Sequence, residues 1–169
     1  MGLTNLGIVH TIISLLAVAA GIVAFARHRL IASTNRVGQA YILLTVLTCL
    51  TGFPIFQRGG FGPPHVLGVL TLAVLALAWL AESGRLFGRA ARYVAVVAYS
   101  LTFFFHMIPG FTETATRLPV GAPLATGDAD PGLQTVIAVA FLAFLVGAAC
   151  QVRALRRQAP TLTGAPAPH

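Results

Sequence analysis

Three histidines carry the chemistry this chain could perform: His10, His65 and His106. Each falls near one end of a long apolar run, and alternation of the runs puts the three at a similar depth. Neutral imidazole is the commonest protein ligand for transition metals and also titrates close to neutral pH. Three imidazoles with an open fourth position make a catalytic zinc-type shell. Two on facing helices can instead hold a heme iron. An ionisable group inside an apolar span is costly to place and marks a functional candidate. His10, His65 and His106 are therefore the expected cofactor ligands, for heme b or for a transition metal (Zn, Cu or Fe).

Each has a plainer reading. His65 can sit wet in the headgroup region, His10 can bond a neighbouring hydroxyl or carbonyl, and His106 can pair with Glu113. Met107 projects about 100° away from His106 on a helix and is not expected as a co-ligand. His28 lies among arginines and His169 in the tail. No span offers a histidine to pair with His28, so a two-heme arrangement is not expected.

Glu113 follows His106 by seven residues, two turns in an unbroken helix. Pro109-Gly110 intervenes, and proline removes a helical hydrogen bond while glycine lets the chain fold back. The expectation is a broken helix and a returning Glu113. It would accept a hydrogen bond from a ligating imidazole, or pair with Arg117 four residues on.

The elements that must position these residues are membrane helices. The chain has 169 residues, 57% hydrophobic and only 9% charged, with a mean hydropathy of +0.85. Soluble domains carry about a quarter charged residues, so a water-soluble fold is excluded. A hydrocarbon core of ~30 Å needs roughly 20 helical residues. Five runs come near that length: 5–26, 37–56, 65–81, 90–108 and 132–152. The first lacks the basic start of a signal peptide and is read as a retained helix. Together they predict an all-α integral membrane bundle of five transmembrane helices, one domain over 1–157 with a disordered tail at 158–169. On the second run Thr45, Thr48, Cys49 and Gly52 share a face, and on the fifth Ala143 and Gly147 form a small-residue edge; such residues let membrane helices approach closely.

Every basic residue is arginine. Nine lie at one set of helix ends: Arg27, Arg29, Arg36, Arg85, Arg89, Arg92, Arg153, Arg156 and Arg157. Arg58 and Arg117 lie at the other. The positive-inside rule then places the N-terminus outside and the C-terminus in the cytoplasm. These clusters serve topology, so no nucleic-acid partner is expected in spite of the net charge of +7. Cys49 and Cys150 show no zinc-finger spacing. There is no lysine for a Schiff base, and no HExxH, phosphate-loop or GxSxG motif. The long connection from Pro109 to Pro131 holds Glu113, Asp128 and Asp130.

Arg27-His28-Arg29, Asn35 to Tyr41, Gly59-Gly60-Phe61-Gly62-Pro63-Pro64-His65 and His106 to Glu113 resemble a bacterial family of small, uncharacterised multi-pass membrane proteins. The resemblance covers about Leu6 to Leu155. It implies a helical bundle in the bacterial cytoplasmic (inner) membrane and no established activity. A fainter likeness to heme b membrane cytochromes rests only on histidines in helices. The function expected is a heme- or transition-metal-binding redox protein with its histidine site near the outer face. The alternatives are a non-catalytic membrane subunit, contacting a membrane protein partner or a second copy, and a small transporter.

Overall fold

The computed structural model describes residues 4–56 and 60–158. Five α-helices account for most of them: α1 (Asn5–His28), α2 (Arg36–Gly52), α3 (Pro63–Glu82), α4 (Ala91–Arg117) and α5 (Pro131–Gln158), with a 3-10 turn at Gly88–Ala90 before α4. No strand occurs among the described residues. α1, α3, α5 and α4 with its preceding turn are long and apolar enough to cross a membrane. α2 has 17 residues and spans about 25 Å at 1.5 Å per residue. It ends earlier than the sequence predicts because Pro54 cannot donate to the ladder, and Phe53 caps it through the Cys49 carbonyl.

Local chemistry sets the other ends. Thr4 and Asn35 accept from the amides of Gly7 and Gly38 and cap α1 and α2. Pro63 and Pro64 open α3, where a missing N–H leaves no gap in the ladder. α1 stops at Arg29, which takes the left-handed conformation and donates to the Phe25 carbonyl. Asp130 begins α5: its carboxylate accepts from the amides of Thr126, Gly132 and Leu133. These amides, Thr126 first, hold the Asp130 carboxyl below the usual carboxylate range.

The expected break at Pro109-Gly110 does not occur: α4 runs unbroken through Pro109 to Arg117. Proline removes a single rung. The freed carbonyl is that of Phe105, and the loss of one such bond does not break a helix of 27 residues packed between α3 and α5. With 27 residues, α4 is about 40 Å long. The last span is likewise longer than predicted and takes in Gln158, while the remainder of the tail lies outside the described residues.

The helices alternate in direction. α1 packs chiefly on α2, and α3 and α5 both pack on α4. At one end, the start of α1 meets the end of α2 through His10 and Thr51. At the other, Glu82 closing α3 meets Ser33 in the α1–α2 turn and Tyr99 near the start of α4. All three candidate histidines lie towards the first end, and the nine arginines towards the second. The core between them includes Ala24, Ile31, Tyr41, Leu75, Ala78, Ala98 and Tyr99. Contact there depends on Gly21, where a β-carbon would stand 2.5 Å from the Phe103 ring. The outside is apolar: Leu15, Leu43, Val139, Leu142 and Val146 are exposed, which suits contact with a lipid bilayer.

Candidate functional site

His10 is held by α1 against the end of α2. Its Nδ1 lies 3.1 Å from the Thr51 hydroxyl. Thr51 gives its own proton to the Leu47 carbonyl at 2.7 Å, so its oxygen accepts from Nδ1–H of His10. Neutral His10 therefore carries its proton on Nδ1 and keeps its lone pair on Nε2. Gly52 makes this seating possible, since a β-carbon there would stand 3.1 Å from His10 Cε1.

His106 is buried on α4, and its Nε2 lies 3.0 Å from the Thr45 hydroxyl of α2. Two turns of α4 and one of α2 then carry a chain of hydroxyls. The Tyr41 hydroxyl stands 2.8 Å from Thr102 Oγ1, and Thr102 donates to the Tyr99 carbonyl at 2.8 Å. Thr102 has thus given its proton away, so Tyr41 donates to it. Tyr41, Thr45 and Thr102 are completely shielded from solvent. Thr48 and Thr51 return their hydroxyls to carbonyls one turn back. Thr45 does not, so it can either donate to or accept from His106. Every fully buried side-chain polar atom among the described residues has a partner, as a bundle in hydrocarbon requires.

At the arginine end the seam meets an acid. The Tyr99 hydroxyl donates to Glu82 Oε2 at 2.9 Å, and Glu82 also accepts from the Ser33 amide. No bond joins the Tyr41–Thr102 pair to the Tyr99 hydroxyl; Thr102 meets Tyr99 only at its backbone.

His65 is placed differently from the other two. Its Nδ1 accepts from the Gly62 amide at 3.1 Å, and its Nε2–H donates to the Phe53 carbonyl at 3.2 Å. Phe56 and Phe61 stack against its ring. Both nitrogens thus tie the α2–α3 connection together. His10 and His106 both contact α2, through Thr51 and Thr45. The three histidines do not converge on a point, and among the described residues no group of three or more His, Cys, Asp or Glu could hold a metal ion. Glu113 stands two turns above His106 on the same helix and pairs with Arg117. Its side chain is half-exposed and bonds no imidazole among the described residues.

The sequence reading passed over Tyr41, Thr102, Tyr99 and Glu82. The available signal was Gly38, Tyr41, Thr45 and Cys49, the buried stripe of α2 at spacings of three and four. The fold and site define an all-helical bundle with four helices long and apolar enough to cross a membrane and a hydrogen-bonded polar seam between α2 and α4. Comparison with protein-family models, curated proteins and solved structures finds no match for the chain.

Proposed function

We propose that this chain is a small transporter of protons in a bacterial cytoplasmic (inner) membrane, with His10 and His106 as its proton-carrying groups. In this reading five spans cross the bilayer with the N-terminus outside. The alternating helix directions support that count, and the nine arginines at one end, against Arg117 at the other among the described residues, support the orientation. The observation that carries the proposal is the His106–Thr45 contact beside the fully buried Tyr41–Thr102 hydroxyl pair.

A neutral imidazole has one nitrogen to accept a proton and another to release one. Hydroxyls both donate and accept, so reversing the Thr45–Tyr41–Thr102 chain moves a proton towards Tyr99 and Glu82. Crossing from Thr102 to the Tyr99 hydroxyl takes a side-chain rotation or an inserted water. The test is dye-reported proton flux into liposomes holding the purified protein under an imposed pH difference. His106→Ala should abolish the flux, and unchanged flux would sink the proposal.

One observation favours a second reading, the redox protein. His10 and His106, both held against α2, provide two imidazole donors. His10 and His106 would be the residues to hold a heme b, which would supply one-electron transfer; two imidazoles fall short of a three-histidine zinc shell. An absorption spectrum and elemental analysis for Fe, Cu and Zn decide it. Protein that is folded and free of heme and of all three metals ends this reading.

A further inference from the structure

At the end of the bundle opposite the nine arginines, a cleft of about 480 Å³ opens between α4, α5 and the connection that joins them. Ligand sites commonly measure ~300–1,000 Å³. Met107, Gly110 and Phe111 of α4 line one side, Leu133 and Val136 of α5 the other, and Ala125 of the connection completes the wall. A backbone bond fixes the connection there. Pro119 has no N–H to give the Ala115 carbonyl at the end of α4, and the Ala125 amide takes its place at 2.9 Å.

One ionisable side chain lines this apolar cleft, the carboxylate of Asp130. The amides of Thr126, Gly132 and Leu133 hold it in place, and it forms no ion pair among the described residues. Neutral amides orient the carboxylate and leave its charge uncancelled. The described residues of this end carry Glu113, Asp128 and Asp130 against Arg117, and Arg117 pairs with Glu113. A rim of that sign draws cations. Phe111 supplies an aromatic ring, whose face attracts cations, and Met107 a polarisable thioether. Gly110 leaves room, since a β-carbon there would meet nothing within 4 Å.

We propose that this cleft binds a lipophilic cation, an organic ammonium or phosphonium. Its apolar body fills the space between α4 and α5, and its charge rests against Asp130. A bare hydrocarbon tail has no use for a fixed carboxylate, and a hydrated inorganic cation none for apolar walls. The cleft shares no residue with the His106, Thr45 and Tyr41 seam, so the inference does not rest on proton transport.

The probe is tetraphenylphosphonium. Tetraphenylborate is its like-shaped anion, and tetramethylammonium is a cation with little apolar body. Purified full chain in a neutral detergent is dialysed to equilibrium against each, and uptake by protein-free micelles is subtracted. The phosphonium should bind saturably at a single site per chain, while the other two do not. Gly110→Leu puts a side chain into open space and should fold as the parent does, with the binding lost. Asp130→Asn keeps a capping side chain and should weaken binding at least tenfold. If one variant does not fold, the other decides. Absence of saturable phosphonium binding overturns the proposal, as does equal binding of tetraphenylborate or of tetramethylammonium. So does undiminished binding by either folded variant.

Discussion

The Thr45 hydroxyl lies 3.0 Å from Nε2 of His106, across 61 residues of sequence, and joins α2 to α4 inside the bundle. Thr45→Val keeps the shape and removes the hydroxyl. It leaves a buried ring nitrogen without its partner, which costs about 1–3 kcal/mol. A lowered thermal midpoint in detergent is expected, with Thr45→Ser close to the parent. A Val variant as stable as the parent would show that the contact holds nothing together.

Tyr41→Phe cuts the hydroxyl chain at its middle while retaining the ring against Phe103. Stability should fall by about 1 kcal/mol, the usual net worth of one hydrogen bond. Proton flux should fall far more, by an order of magnitude or beyond. Loss of stability with unchanged flux would make Tyr41 a packing residue only.

Much of the architecture is legible from residue types alone, because a membrane helix must be apolar for a fixed length. The helices, their alternation and the gathering of His10, His65 and His106 at one end all follow from that constraint. Rotational phase is harder to read. Thr45, Thr48, Cys49 and Gly52 look like one face, but the structure divides them. Thr45 meets α4, Gly52 seats His10 of α1, and Thr48 bonds its own helix. Membrane helices are apolar all round, so hydrophobic periodicity gives little guide to which side faces a neighbour. Pro109-Gly110 reads as a break only while the packing of α4 between α3 and α5 is out of view. The Glu82–Tyr99–Ser33 contact draws on three separate segments and leaves no local signature.

His65 gives a contrasting case. Its two ring nitrogens and its stacking on Phe56 and Phe61 stabilise the α2–α3 connection. His65→Ala should cost about 1–3 kcal/mol and leave proton flux per folded molecule unchanged. Flux lost in a variant that still folds would bring His65 into the working site.

Asp130 sets an acid limit. Its carboxyl is held below the usual range by the backbone amides it accepts from, those of Thr126, Leu133 and Gly132. A group depressed in the folded state contributes stability above its unfolded value and loses it as pH falls through the folded one. The contribution is therefore present at neutral pH and disappears below the ordinary carboxylate range, about pH 3.9. The gap in melting temperature between the parent and Asp130→Asn should be clear at pH 7 and should close in acid. A gap that is constant with pH would contradict this.

Proton flux into liposomes, compared between the parent protein and His106→Ala, tests the central claim most directly. The variant must first show parent-like helix content and insertion. The parent should then dissipate an imposed pH difference well above empty liposomes, and His106→Ala should return the flux to the empty-liposome level. Equal flux from the two proteins, or none from the parent, would contradict the assignment of the buried histidine seam as a proton path.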